Sequence, residues 1–120
     1  NTAVTTRLVD AVSRGDVLVS CGPVAMELLA GINARNQRVV DTIVQSTPPL
    51  AFDHREDFVS AARLSVIARE RGLVIRSLVD CLIAAIAIRD GEVVVAHCDT
   101  DFDRLAEVSP LRAERWADVA

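Results

Sequence analysis

Lysine is missing from this sequence: the Lys+Arg total is 13, and every one of those residues is arginine. That excludes a P-loop, which needs Gly-Lys-Ser/Thr around its phosphates. It also removes the lysine expected beside the acidic pocket of a phosphoryl-accepting receiver domain. Long apolar runs are absent as well. The longest, Cys81 to Ile88, is far short of the ~18 residues of a membrane span. The chain opens on polar Asn1-Thr2, not on a basic and then apolar leader. Paired cysteines are lacking too. Cys21, Cys81 and Cys98 have no C-x-x-C spacing and apolar neighbours, the pattern of reduced, buried thiols in a cytoplasm. His54 and His97 are too far apart to complete a zinc site. No basic excess exists either. The net charge of −4 argues against holding nucleic acid by charge alone, but leaves open a phosphate substrate bridged by a metal.

What remains is one soluble domain over residues 1–120, about half apolar and a quarter charged. Val4, Leu8 and Val12 repeat at helical spacing up to Gly15. Val17-Leu18-Val19 alternates as a short strand. Pro23 suits the first turn of a helix from Val24 to Ile32, with Ser20 or Gly22 near its cap. Val39, Val40, Ile43 and Val44 mark another helix, stopped by Pro48-Pro49. Leu50-Ala51-Phe52 reads as a strand, and Asp53 with Glu56 as a capping box for a long helix that closes at Gly72. A helix over Leu78–Arg89, a strand over Val93–Ala96 and a last helix complete the pattern. Short strands alternating with helices predict an α/β layer structure with a small, mainly parallel sheet. Such a sheet normally begins with a central strand, so an N-terminal strand is expected ahead of the first helix and is not found in these residues.

The chemistry-bearing residues are acids in apolar surroundings. Asp99-Thr100-Asp101-Phe102-Asp103 follows directly on the Val93–Ala96 run, at a strand end where α/β proteins keep their sites. Like charges so close ask for open solvent or a cation, and a hard ion such as Mg²⁺ suits an all-oxygen set. A helix cap by Asp99 or Thr100 is the plainer reading. A calcium loop is excluded, since Arg104 and Pro110 stand where it needs Gly and Glu. Asp80 is the single acid of Leu78–Ile88, where a charge costs several kcal/mol, on the order of 3, unless paired or ligated. Ser77-x-x-Asp80 also reads as a capping box. Glu27 repeats the pattern between Met26 and Leu28. Arg76, Arg89 and Arg104 are candidates for phosphate contacts.

Val74–Ala85, with its Arg-Ser-Leu-Val-Asp-Cys run, then Ala96–Asp103 and Met26–Gly31, together resemble the three acidic motifs of PIN-domain ribonucleases, and more narrowly those of the VapC toxins of toxin–antitoxin modules. The resemblance covers nearly the whole chain in the right order. It implies a three-layer PIN-like fold, with Glu27, Asp80, Asp99 and Asp101 at the acidic positions that hold Mg²⁺ or Mn²⁺. It further implies hydrolysis of RNA, often transfer RNA, a VapB-type antitoxin as partner, and a homodimer. Asp80 and Asp99 are the expected main ligands, with Glu27 and Asp101 acting through metal-bound water or at a second site. Arg76 and Ser77 are expected near the substrate, Ser77 first of all as a cap. In that family a first strand ends in an aspartate, and neither Asp10 nor Asp16 replaces it. Either the native protein has further N-terminal residues or this form is inactive.

Two rival readings follow. One is a catalytically inert PIN-like subunit that binds only an antitoxin or a dimer partner. The other is an enzyme working through an aspartyl phosphate.

Overall fold

The computed structural model describes residues 2–117, in the order α1 (Thr2–Ser13), α2 (Gly22–Ala30), α3 (Gln37–Ser46), α4 (His54–Glu70), α5 (Leu78–Asp90), β1 (Val95–His97), α6 (Thr100–Glu107) and β2 (Ala113–Arg115). No helix among the described residues is long and apolar enough to cross a membrane. The α/β class and the helix-flanked parallel sheet agree with the pattern read from the sequence.

The centre of the molecule is α5. Ile83 to Ala87 are all buried, because Leu-Ile-Ala-Ala-Ile-Ala leaves no polar face to turn toward water. Burying an isoleucine there contributes about 2 kcal/mol. Helix α4 packs along α5 through Ala61, Leu64 and Ala68, and α6 covers another side with Phe102 and Leu105. Gly91, at φ 83°, closes α5 in the left-handed region that a side chain rarely adopts.

The Asp53 carboxylate caps α4 by accepting the N–H groups of Arg55 and Glu56. The reciprocal bond comes from Asp57 Oδ2, which accepts the Asp53 N–H at 2.9 Å. The expected capping box is therefore displaced by one residue, from Glu56 to Asp57. Asp57 is 1% exposed and paired with Arg89, Nε to Oδ1 at 2.7 Å; Arg89 also donates to the Ala51 carbonyl. This bond holds the Asp57 carboxyl below the usual carboxylate range. Arg89 is thus a structural cation that joins α4 to the end of α5, not a phosphate contact.

The sheet departs from expectation. Among the described residues only β1 and β2 form a ladder, parallel and in the register Val95–Ala113, Ala96–Glu114, His97–Arg115. Parallel strands need a crossover, and α6 supplies it. Strand β2 was not predicted: Ala113-Glu114-Arg115 has no apolar alternation, and its pairing comes from its neighbour. Val17–Val19 and Leu50–Phe52 were predicted as strands and form none. Next to them lies an isolated bridge, with Ser20 paired to Pro49 and the Leu50 N–H donating to the Ser20 carbonyl at 2.7 Å. Val17 is 81% exposed. Between this bridge and β1 lies a cavity of about 690 Å³ lined by Val19, Leu50, Ile83, Ala87, Val95 and Trp116, among others. Apolar β-forming sequence makes no ladder where no strand lies alongside it.

Helix α1 buries Ala11 and leaves Val12 exposed, so its apolar stripe is only partly used. Cys21 and Cys81 are buried free thiols as expected, whereas Cys98 is exposed, because the turn after β1 lies at the surface.

Candidate metal centre

Strand β1 ends at His97 and the chain turns directly into α6. Asp99 has extended backbone angles, φ −121° and ψ 129°, and caps α6 with its side chain. Its Oδ1 accepts the Asp101 N–H at 2.9 Å. Asp101 lies in the first turn, 1% exposed, where the helix N-terminus favours a negative charge. The Arg76 backbone N–H donates to its Oδ2 at 3.0 Å, and Arg104 Nη1 donates to its Oδ1 at 3.2 Å. The segment leading into α5 is thereby fastened to the start of α6.

Ser77 caps α5, its Oγ accepting the Asp80 N–H at 3.4 Å. The return bond of a full capping box is not found among the described residues. The Asp80 carboxylate lies instead with those of Asp99 and Asp101: one oxygen of each falls within 4.8 Å of the others. Three acids from two helix starts thus converge at the end of a parallel strand.

Their proximity carries an electrostatic penalty. Asp80 is 8% exposed, and its pKa is pushed up from 3.8 to about 6, first by burial and then by the charges of Asp99, Glu27 and Asp101, with Arg76 acting the other way. Arg76 stands at the mouth, Nη2 4.0 Å from Asp99 Oδ1 and Nε 4.0 Å from Asp101 Oδ1. Those distances are long for direct bonds, so the guanidinium screens the acids without neutralising them.

A hard divalent cation fits this donor set. One carboxylate oxygen from each of Asp80, Asp99 and Asp101, within 4.8 Å of one another, would supply the all-oxygen set that such an ion takes. A zinc-type site is not offered, since no histidine or cysteine belongs to the cluster.

Of the residues singled out from the sequence, Asp80, Asp99 and Asp101 come together. Glu27, on α2, is exposed and lies outside the group of three, although its charge reaches Asp80. Ser77 acts as a cap, and Arg76 stands at the rim. Arg104 is engaged by Asp101 and by the Val74 carbonyl. His97 adjoins the acidic cluster at a strand end, where a histidine is more often packed or solvated than catalytic; its side chain is buried against Phe102, ring centroids 5.4 Å apart. Strand alternation was the available signal: residues two apart share a face, which sets His97 inward with Val95.

The fold and this acidic centre define an α/β domain with a cluster of carboxylates at a strand end. The family model described as PIN domain matches residues 2–108. Ribonuclease VapC11 of Mycobacterium tuberculosis is 40% identical over 97 residues, covering 80% of this chain and 72% of that protein. VapC ribonuclease Mb1587 of Mycobacterium bovis matches to the same extent, 40% over 97 residues. Among solved structures, VapBC-1 from nontypeable Haemophilus influenzae superposes with a TM-score of 0.66 over 97% of this chain and 86% of that one, at 18% identity, a likeness of fold. The chain belongs to the PIN-domain family and, within it, to the VapC ribonucleases.

Proposed function

We propose that this protein is a metal-dependent endoribonuclease toxin of a VapBC-type toxin–antitoxin pair, acting in the cytoplasm on RNA, transfer RNA included. The observation that carries the reading is the convergence of Asp80, Asp99 and Asp101, with one oxygen of each within 4.8 Å of the others. These residues would hold Mg²⁺ or Mn²⁺, with Glu27 acting through bound water. When bound, the ion supplies an activated water and neutralises charge developing on the phosphodiester.

The remaining steps belong to side chains of this chain. The carboxylates of Asp80, Asp99 and Asp101 give the site its negative charge and its oxygen donors. The Arg76 guanidinium, at the rim and mostly exposed, is free to turn from the acids toward a substrate phosphate, where bidentate contact is favoured. Asp99 and Ser77 hold the two helix starts in place through their caps.

A VapB-type antitoxin as partner is supported by the fold match to VapBC-1. A homodimer is supported by apolar side chains left exposed on the first two helices, Val9, Val12, Met26 and Leu29.

The test uses Asp99→Asn, because asparagine is an equally good N-cap and α6 should persist. The wild type is expected to cleave RNA with Mn²⁺ or Mg²⁺ and to stop on chelation, and Mn²⁺ should raise its melting temperature. The variant should lose both responses. Cleavage by Asp99→Asn at the wild-type rate would overturn the assignment. A folded wild type that neither cuts RNA nor responds to Mn²⁺ would favour the inert, partner-binding reading.

A further inference from the structure

The imidazole of His97 forms a link that neither the acidic cluster nor the sheet requires by itself. Its backbone belongs to β1, in register with Arg115 of β2, and its carbonyl accepts the Trp116 N–H at 2.8 Å. Its side chain reaches forward, and Nδ1 accepts the backbone N–H of Asp99 at 3.1 Å. A side-chain acceptor on residue i for the N–H of residue i+2 is the geometry of an Asx turn, with imidazole in place of a carboxamide. An accepting Nδ1 carries no proton, so the neutral ring holds its hydrogen on Nε2.

On the other side, Nε2 is 3.1 Å from Asp103 Oδ1. The carboxylate lies off the direction of a hydrogen bond, which leaves Nε2 without a hydrogen-bond partner. Asp103 itself is held by Arg115, whose Nε donates to Oδ2 at 3.1 Å, while Arg115 Nη2 also reaches Thr100 Oγ1 at 3.3 Å. The ring is clamped between Phe102 and this ion pair, with one polar atom committed to the backbone of Asp99.

We propose that His97 is a positioning residue for Asp99: by accepting the Asp99 N–H it fixes the turn between β1 and α6, and so aims the Asp99 carboxylate at those of Asp80 and Asp101. The inference rests on the reading of these acids as a divalent-cation site. His97 touches neither substrate nor the proposed ion; it acts through the residue two positions on. Groups that orient ligands typically govern about 10–100-fold in metal affinity.

The test compares His97→Leu with His97→Asn in the full chain. Leucine fills the space and offers no acceptor; asparagine restores an Asx-turn oxygen. Mn²⁺ affinity is measured by calorimetry without RNA, beside thermal melts. His97→Leu is expected to weaken Mn²⁺ binding about tenfold, and His97→Asn to recover most of it, even where both variants melt lower than the wild type. A merely structural histidine predicts lower melting temperatures with unchanged Mn²⁺ affinity, and that result overturns the proposal.

Should His97→Leu fail to fold, two readouts still decide. ¹⁵N chemical shifts of wild-type His97 must report the Nε2–H tautomer, and His97→Asn must bind Mn²⁺ within a few-fold of the wild type. A protonated Nδ1 in the neutral ring, or weak binding by a folded His97→Asn, overturns the role. Absence of Mn²⁺ binding by the wild type itself overturns the cation reading, and this inference with it, and is distinguishable from failure of His97 alone.

Discussion

The backbone N–H of Arg76 donates to Asp101 Oδ2 at 3.0 Å, across 25 residues of sequence, and so joins the approach to α5 to the first turn of α6. Asp80 and Asp99 meet because their two helices start from this shared point. Asp101 is therefore structural in its hydrogen bonds, whatever it contributes to an ion.

Replacing Asp101 by Ala should destabilise the metal-free protein by about 3 kcal/mol, the magnitude of a lost charge-assisted hydrogen bond that leaves a donor unpaired. Asp101→Asn keeps an acceptor for the Arg76 N–H and should lose less. Urea unfolding of both variants checks the order, and an equal loss for the two would show that the backbone bond contributes little.

Asp80 makes the metal-free protein less stable as pH rises. Its folded-state pKa is raised from 3.8 to about 6, so the folded state holds the proton more tightly. Stability is then lost between about pH 4 and 6, up to a total near 3 kcal/mol. Asp57, whose pKa is lowered by Arg89, acts oppositely and in a more acidic window, so the comparison is best made against a variant. Asp80→Asn should match the wild type near pH 4 and exceed it at pH 7, with no Mn²⁺-induced rise in melting temperature. Chemical denaturation across pH 4–7 measures the divergence.

Mn²⁺ affinity should climb with pH over the same window, since the ionised Asp80 carboxylate is the form that ligates. Calorimetry in buffers of different ionisation enthalpy should detect proton release near pH 6 and little above pH 8. A flat pH profile would remove Asp80 from the ligand set.

The pair Asp57–Arg89, Nε to Oδ1 at 2.7 Å, lies at the far end of α5 from Asp80, about 14 Å along the helix at 1.5 Å per residue. Asp57→Ala should cost about 3 kcal/mol, because it leaves a part-buried guanidinium without its partner. Mn²⁺ affinity of the folded variant should stay within twofold of the wild type, by the additivity of distant sites.

Arg76→Ala should leave the fold intact, the side chain being mostly exposed, and raise KM for RNA several-fold while steepening no salt dependence. At pH 7.5, removing this cation from beside Asp99 and Asp101 should not weaken Mn²⁺ binding. A KM equal to that of the wild type would exclude phosphate contact by Arg76.

The helices were legible in the sequence because their signals are local. Ser77 and Asp53 cap, Gly72 and Pro48 stop, and the apolar run of α5 demands burial wherever the chain goes. The candidate acids were legible for a related reason: an ionisable side chain among apolar neighbours, such as Asp80, is conspicuous without coordinates. Strands are a different matter. Val17–Val19 has the composition of a strand and forms none, whereas Ala113–Arg115 lacks that composition and forms β2, since a ladder depends on the backbone lying alongside.

The sequence by itself thus determined the helical segments, the buried character of α5 and the choice of acids, all consequences of composition and short-range spacing. Only the tertiary structure decided which acids share a space. It brought Asp80 to Asp99 and Asp101, left Glu27 at a distance, assigned Arg89 to Asp57 rather than to the site, and set His97 against the amide of Asp99. These relations join residues distant in the chain or depend on the direction of a buried side chain, and such directions follow from packing, which no local pattern encodes.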